Sequence, residues 1–387
     1  MNDLKSFIIF LTIFLGVYFS MNSYVLLKGN LALQLKGVPF WVYIALFVTV
    51  SLAFPVSFFI RRLVENDISP LLTWIGSLWL GAIIYFFLIG LAVDFIRFFN
   101  YIFSYIPEVF YRNQLVIGRT LFVIVVLAVS ALILAGYLHS KDVKVRRLDL
   151  AVDTLPVDSN PLKVVFVSDI HLGRMIGKDR LKGIVELVNG EGPDIILIGG
   201  DLFDEEADGL YHVREILSSF KAKYGAFAVL GNHEFYHGPD ESTHFMESAN
   251  IRVLRDKAVT VPGIVNIVGL DDYSDGWGRR ARDEETLKEI IDSCDENLPT
   301  ILMTHTPVYL DRFAALGVDL ALFGHTHNGQ FFPFNLVTDS IFKLSYGYGR
   351  VGDMHAYVSS GAGTWGPPIR VLTDVEIVKI NLVTGKN

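Results

Sequence analysis

The sequence has very little cysteine and, over most of its length, no excess of basic residues. Cys294 is the only cysteine among 387 residues, which excludes an internal disulfide framework. Residues 1–140 hold 8 of the 33 Lys and Arg and 5 of the 41 Asp and Glu, so residues 141–387 hold the other 25 and 36, a net charge of −11. Non-specific binding of DNA or RNA requires Lys and Arg that neutralise phosphates, so we expect no nucleic-acid partner.

Charged residues are also scarce in the first third of the chain. Four apolar stretches cover residues 7–27, 38–60, 71–93 and 115–138, each near the roughly 20 residues that cross a bilayer. They predict a membrane domain at 1–140 with four transmembrane helices and the lipid bilayer as a partner. A cleaved signal peptide is the alternative for the first stretch, but no small-residue cleavage site follows it. The spans contain no buried run of charges, which favours an anchor over a transporter.

The residues near the ends of these spans indicate how the chain is oriented in the membrane. Residues 95–111 are rich in Phe and Tyr, which indicates either a helix on the membrane surface or an extension of the third span. An even number of spans puts both termini on one side. Lys and Arg near the span ends are slightly more frequent on that side, which favours a cytoplasmic C-terminal domain.

Residues 141–387 show the alternation of an α/β domain. Short apolar runs at 162–167, 194–199, 226–230, 300–303 and 320–323 have the composition of buried strands. Helical spacing of apolar residues appears at 178–189, 207–221 and 283–294. Residues 148–152 alternate like an edge strand that opens the domain, and a strand at 375–382 closes it. The length suits a single soluble domain.

Five polar clusters follow the five apolar runs. They are Ser168-Asp169-Ile170-His171, Gly200-Asp201, Gly231-Asn232-His233-Glu234, Thr304-His305 and Gly324-His325-Thr326-His327. If the strands lie side by side, the clusters converge at their carboxyl ends, where α/β sheets place ligand crevices. Any one cluster taken alone is more often turn chemistry. The ordered set of five predicts a common site.

The ligand types in these clusters indicate a pair of divalent metal ions. Imidazole, carboxylate and amide groups suit borderline ions such as Mn, Fe, Zn or Ni. A carboxylate bridges two cations about 3.5–4 Å apart, and such a pair lowers the pKa of a shared water toward about 7. The same cations offset charge on a phosphoryl oxygen. The clusters therefore predict a two-metal hydrolytic site.

The ordered series D-x-H, G-D, G-N-H-E, H and G-H-x-H resembles the calcineurin-like metallophosphoesterase family over about residues 162–382. The resemblance implies a two-sheet α/β/β/α sandwich. It also implies that Asp169, His171 and His327 bind the first metal, that Asn232, His305 and His325 bind the second, and that Asp201 bridges both. His233 is implied to be catalytic, by stabilising charge on the phosphoryl group or protonating the leaving oxygen.

The closest subgroup comprises membrane-associated bacterial members, which implies a bacterial inner or plasma membrane. Its usual G-H-T-H-G-G-Q motif has Asn328 here in place of a glycine, and Asn is a tolerated substitute for glycine at positive φ. The implied activity is hydrolysis of a phosphodiester, pyrophosphate or phosphomonoester by a metal-bridging hydroxide. The alternative is a membrane receptor or scaffold with a non-catalytic head, but every ligand position is filled, which favours the enzyme.

Substrate contacts are less sharply indicated. Arg174 and Tyr236 follow metal-site motifs and are candidates, with a scaffold role as the alternative. Arg370 either binds an anion or holds the structure. The anchor and the Phe-rich residues 329–334 favour a lipid-linked substrate, whereas the alternative assigns those phenylalanines to the core or to membrane contact. No feature of the sequence identifies a protein partner.

Overall fold

The structure of the protein is a computed structural model. The model describes residues 2–60, 68–107, 112–155, 160–173, 175–204, 211, 213–272, 274–275, 278–279 and 284–385. The chain divides into two compact units, one comprising Met1–Leu138 with Gly366–Ile369 and the other His139–Trp365 with Arg370–Asn387.

The first unit consists of long apolar helices. They are α1 (Asn2–Leu33), α2 (Val38–Ile60), α3 (Ile68–Phe103) and α4 (Gln114–His139). Each contains a stretch long and apolar enough to cross a membrane by length and composition, which confirms the prediction of four long apolar helices. The third helix continues without a break to Phe103, so within the described residues the aromatic segment after residue 95 extends this span.

Polar side chains in the helical unit are paired between helices. The Lys28 ammonium on α1 lies 2.6 Å from the Asp94 carboxylate on α3, and the Tyr24 hydroxyl donates to the same carboxylate at 2.7 Å. The Trp79 indole donates to the Asn22 side chain at 2.9 Å. Such pairing satisfies groups that would be costly to expose to lipid.

The second unit contains two six-stranded sheets. In chain order the strands are β1 (Val143–Val152), β2 (Leu162–Val167), β3 (Ile195–Gly199), β4 (Ala226–Val229), β5 (Ile251–Val253), β6 (Lys257–Val261), β7 (Val265–Gly269), β8 (Ser274–Asp275), β9 (Gly278–Arg279), β10 (Thr300–Met303), β11 (Leu320–Phe323), β12 (Gly347–Val351), β13 (Met354–Val358) and β14 (Val375–Thr384). The sheet orders are β1-β14-β2-β3-β4-β5 and β12-β13-β11-β10-β7-β6, with β8 and β9 forming a separate pair. The five predicted strand runs and the opening edge strand are present.

Seven helices lie between the strands in the described part of this unit. They are α5 (Lys178–Gly190), α6 (Arg214–Leu217), α7 (Asn232–His237), α8 (Pro239–Ser248), α9 (Glu284–Asp292), α10 (Leu310–Ala315) and α11 (Phe334–Ile341). The predicted helix at 207–221 is only four residues long in its described part, and residues 207–210 and 212 lie outside the described residues.

Three apolar layers hold the unit together. Phe166 and Leu197 of the first sheet pack with Ile267 and Leu322 of the second in the layer between the sheets. A second layer joins the first sheet to α5 and α8, and a third joins the second sheet to α9 and α10. The runs are apolar at nearly every position because both faces of each central strand are buried. The resulting α/β/β/α sandwich confirms the predicted fold class.

Strand direction places the polar clusters. β2, β3 and β4 are parallel neighbours in the first sheet, and β7, β10, β11 and β13 are parallel neighbours in the second. Parallel strands end at one edge of a sheet, so residues that directly follow them are brought together.

Candidate metal centre

The structure brings all seven predicted ligands to one place. Asp169 and His171 follow β2, Asp201 follows β3, Asn232 opens α7 after β4, His305 follows β10, and His325 and His327 follow β11. Asn232 and His325 are partly buried, and the other five are buried. These residues are far apart in sequence, so only the sandwich makes them neighbours.

The backbone turns sharply at these ligands. Asp169, His171, Asp201, His325 and His327 all have positive φ, between 49° and 70°. This left-handed conformation is costly for residues other than glycine and tends to cluster at functional sites. Asn328 has a φ of 52°, which agrees with the prediction that it replaces a glycine at positive φ.

The first group of ligands comprises Asp169, His171 and His327. His327 Nε2 lies 3.0 Å from His171 Nε2 and 3.4 Å from Asp169 Oδ1. One donor atom from each residue lies within 4.8 Å of the others. This spacing suits a single cation between the three side chains.

The second group comprises Asn232, His305 and His325, with Asp201. His325 Nδ1 lies 2.9 Å from Asn232 Oδ1, and His305 Nε2 lies 3.1 Å from Asp201 Oδ2. Donor atoms of Asp201, His305 and His325 lie within 4.8 Å of one another. Asp201 Oδ2 is also 3.9 Å from His171 Nε2 of the first group. Asp201 is therefore placed between the two groups, as a bridging carboxylate requires.

The donor set fits a pair of divalent cations. His305 Nδ1 lies 2.8 Å from the Gly199 carbonyl oxygen, so Nδ1 carries the proton and Nε2 presents a lone pair to the site. His305 Nε2 is buried and has no hydrogen-bond partner within the described part of the chain. An orphaned imidazole nitrogen among carboxylates is the expected arrangement of a metal ligand whose other nitrogen is held by a carbonyl.

Electrostatics differ among the ligand imidazoles. Burial acts to lower the pKa of His305, but Asp201 and Asp169 outweigh it and raise that pKa well above its ordinary value, so the surrounding carboxylates favour a positive charge there. Burial lowers the pKa of His327 well below its ordinary value, with the neighbouring His171 acting in the same direction. Burial also lowers the pKa of His325, assisted by His305. Both side chains are thus neutral at physiological pH, which is the state that binds metal. Burial acts to raise the pKa of Asp201, but His305 and His233 outweigh it and lower that pKa well below the usual range.

His233 lies beside both ligand groups and has an acidic partner of its own. Its Nδ1 lies 3.0 Å from Asp204 Oδ1, and its ring centroid is 4.7 Å from that of His171. Burial acts to lower the pKa of His233, but the charges of Asp201 and Asp204 outweigh it and raise the pKa to about 9. A protonated imidazole at this position is suited to donate a proton or to face an anion.

The sequence assigned no role to three carboxylates that lie around the site. Asp204 faces His233, and the G-D-x-x-D spacing from Asp201 was the available signal. Glu234 is fully buried and accepts hydrogen bonds from the amides of Asp201, Phe203 and Gly231, at 2.9, 3.0 and 2.8 Å. Asp272 follows β7 and accepts a hydrogen bond from Thr306 Oγ1 at 2.5 Å.

The candidate substrate contacts occupy different environments. Tyr236 is 64% exposed, and its ring centroid lies 5.8 Å from that of His233. Trp365, which the sequence did not single out, is also exposed and lies 6.2 Å from His233 by the same measure. Arg370 is only 1% exposed, and Arg174 lies outside the described residues. Tyr236 and Trp365 therefore flank His233 on the accessible side.

Substitution of Gly324 tests the close packing of its loop against Asp169. A Cβ at Gly324 would lie 2.2 Å from Asp169 Oδ2 and 2.9 Å from Ser168 Cβ, so Gly324→Ala must displace the Asp169 carboxylate. We expect Gly324→Ala to weaken Mn binding by about 10- to 100-fold, measured by titration calorimetry. Gly183→Ala is the control, because a Cβ there meets nothing within 4 Å. Wild-type affinity in Gly324→Ala would refute the arrangement.

Sequence comparison agrees with the geometry. A family model described as calcineurin-like phosphoesterase matches residues 162–329. An uncharacterized metallophosphoesterase of Aquifex aeolicus is 34% identical over 258 residues, covering 65% of this chain and 97% of the relative. A relative in Helicobacter pylori with the same description is 36% identical, covering 62% of this chain and 64% of its own length.

The similarity extends to a mammalian membrane protein. A bovine transmembrane protein with metallophosphoesterase domain is 30% identical over 272 residues, covering 66% of this chain and 61% of the relative. The chain thus spans less than two thirds of the Helicobacter pylori and bovine relatives. The family typically binds a dinuclear metal centre, and this chain has candidate ligands for one. The chain belongs to the calcineurin-like metallophosphoesterase family.

Proposed function

We propose that this protein is a membrane-anchored, two-metal phosphoesterase that hydrolyses a phosphodiester, pyrophosphate or phosphomonoester. The observation that carries the proposal is the convergence of Asp201 with two ligand groups, with donor atoms within 4.8 Å in each. Two divalent cations bound there would supply Lewis acidity and an activated water at neutral pH.

In the proposed mechanism seven side chains hold two cations, and His233 acts as the acid. Asp169, His171 and His327 hold the first cation, Asn232, His305 and His325 hold the second, and Asp201 contacts both. His233 faces the phosphoryl group. It stabilises the charge that develops on the phosphoryl oxygens or donates its proton to the leaving oxygen. Asp204 keeps the His233 imidazole in orientation through the 3.0 Å contact at Nδ1.

The proposed organisation is a membrane domain at residues 1–140 and a metallophosphoesterase domain at 141–387. The proposed location is a bacterial inner or plasma membrane with the catalytic domain on the cytoplasmic face. The cytoplasmic placement is supported by the slight excess of Lys and Arg near the span ends on the side that both termini share. The metal is proposed to be Mn, Fe, Zn or Ni, since imidazole, carboxylate and amide ligands accept each of these ions.

We further propose that the substrate is lipid-linked. Helix α11 has no buried residue, and the large apolar side chains Phe332, Phe334, Leu336, Val337 and Ile341 are between 38% and 57% exposed. This apolar face is tied to the metal loop, because α11 follows the ligand His327 closely and Thr326 Oγ1 donates to the Ser345 carbonyl at 2.6 Å just after it. An apolar face of this kind suits acyl chains next to a phosphate-binding centre.

A non-catalytic receptor or scaffold is the second candidate function. It is favoured only by the membrane anchor. A head that had lost catalysis would be expected to lack a ligand or the His233 equivalent, whereas this chain has all of them. Hydrolysis assays separate the two functions directly.

Removal of His233 or of the bridging carboxylate tests the activity. We expect the purified full-length protein with added Mn to hydrolyse an aryl phosphodiester. His233→Ala should lower kcat by about 10²- to 10⁴-fold by removing the proton donor, and Asp201→Asn should also lose metal ions. Steady-state kinetics with elemental analysis measure both effects. Wild-type turnover no higher than that of the two variants would support the scaffold.

Substitution of Asp204 tests the orientation of His233. Asp204→Asn keeps the size of the side chain but removes the charge that faces His233 Nδ1. Asp204 also lies 3.6 Å from Nδ1 of the metal ligand His171, so we expect kcat, measured at saturating Mn, to fall by about 10- to 100-fold. Asp353→Asn is the matched control, since Asp353 is fully exposed and its nearest cation, Arg350, is 3.9 Å away. Unchanged kcat in Asp204→Asn would remove Asp204 from the mechanism.

Substitutions on the exposed apolar face of α11 test whether the substrate is lipid-linked. We expect the double variant Leu336→Ser with Val337→Ser to lower kcat/KM about tenfold or more for a long-chain phosphodiester in nanodiscs, because the two residues add apolar contact area. Turnover of a short-chain soluble analogue should be unchanged. Tyr348→Ser, at another exposed position, is the control. Equal wild-type kcat/KM for the two substrates would argue against a lipid-linked substrate.

A further inference from the structure

Arg370 is a fully buried arginine whose hydrogen bonds go to backbone carbonyls and one imidazole. Its Nη1 donates to the His327 carbonyl at 2.7 Å. Its Nη2 donates to the carbonyls of Ser360 and Gly363 at 2.6 and 2.8 Å and lies 3.2 Å from His327 Nδ1. At 1% exposure it is not placed to meet a substrate from solvent.

The Arg370 contact with His327 acts on a strained ligand. His327 has a φ of 50°, a conformation that a histidine adopts only when its surroundings impose it. Arg370 Nη1 donates to the carbonyl oxygen of this residue. The guanidinium thereby constrains the backbone from which the His327 ring projects toward His171 and Asp169.

Arg370 also supports Asp169 through a backbone strap, Ser359–Gly363. The amides of Ala362 and Gly363 donate to the carbonyls of Ser168 and Asp169, each at 2.9 Å. A Cβ at Gly361 would lie 2.7 Å from the Asp169 Cβ, so the strap packs directly against this ligand. Arg370 holds the strap by the carbonyls of Ser360 and Gly363.

The second ligand group is held by other contacts. His305 Nδ1 is bound to the Gly199 carbonyl, and Asn232 follows Gly231, whose amide donates to Glu234. Among the described residues, the hydrogen bonds of the Arg370 guanidinium reach none of Asn232, His305 and His325. The direct hydrogen bonds of Arg370 are thus confined to one side of the metal centre, and the link to the other side runs only through Asp169, whose carboxylate accepts the His325 amide at 3.0 Å.

We propose that Arg370 is a positioning residue that holds His327 and Asp169 in the geometry of the first metal, and that its loss selectively empties that site. The proposal rests on the proposed two-metal site. Its physical basis is the planar guanidinium, which offers five donors in a fixed fork and spans three carbonyls that a single ammonium cannot span together.

Metal counting on Arg370→Met tests the proposal. Methionine fills similar space without a donor. In full-length wild-type protein with added Mn, we expect about two Mn ions per chain and the electron paramagnetic resonance spectrum of an exchange-coupled pair. Arg370→Met should lower first-site affinity by about 10- to 100-fold, leave about one ion per chain, and show isolated Mn. His327→Ala is the reference and should give the same spectrum.

Two further variants separate positioning from general destabilisation. Arg147→Met is the control, because it removes an arginine that pairs with Glu191, outside the strap and the ligand groups, and it should keep the coupled pair. Arg370→Lys keeps the charge but not the fork, so its first-site affinity should lie between those of wild type and Arg370→Met.

The outcomes are distinct. Arg370→Met with two coupled ions at wild-type affinity, or with equal loss from both sites, would overturn the positioning role and leave the proposed function standing. Wild-type affinity in Arg370→Lys would also overturn it, since charge alone would then suffice. Wild-type protein that binds no pair of ions would overturn the proposed function together with this inference.

Discussion

The structure is organised around buried imidazole and carboxylate groups that face one another at the ends of two sheets. His171 Nε2 and His327 Nε2 are 3.0 Å apart, and His305 Nε2 is 3.1 Å from Asp201 Oδ2. Burial penalises the charged form of each group, and neighbouring imidazoles disfavour each other's protonation. Such a cluster is stable where shared divalent cations join its members, as is typical of the family.

The surrounding backbone is shaped by this cluster. Five ligands have positive φ, and the loops that carry them approach so closely that Gly324 and Gly363 have no room for a Cβ. Two buried ionisable side chains hold these loops in place. On the Asp201 side, Glu234 accepts hydrogen bonds from three backbone amides. On the His327 side, Arg370 donates hydrogen bonds to three backbone carbonyls. Charge-assisted hydrogen bonds of this kind are among the stronger contacts available to a loop.

The sequence was most informative where a single local pattern decides the structure. Apolar runs bounded by polar clusters identified the central strands, because strands buried on both faces cannot tolerate polar residues. Hydropathy identified the four long helices for a similar reason. Helix length was less predictable: α3 continues to Phe103, ten residues beyond the predicted end at 93. Aromatic residues are compatible with both a membrane span and its interface, so composition alone did not locate this end.

The sequence by itself determined the ligand types, their order along the chain and their places after strands, since these depend on residue identity and local periodicity. The tertiary structure decided which side chains support the ligands. Asp204, Glu234 and Arg370 lie outside the predicted set of ligands and the catalytic histidine, and Arg370 is separated from His327 by 43 residues along the chain. Their partners are brought near only when the two sheets stack, because hydrogen bonds between distant loops leave no periodic trace in a sequence.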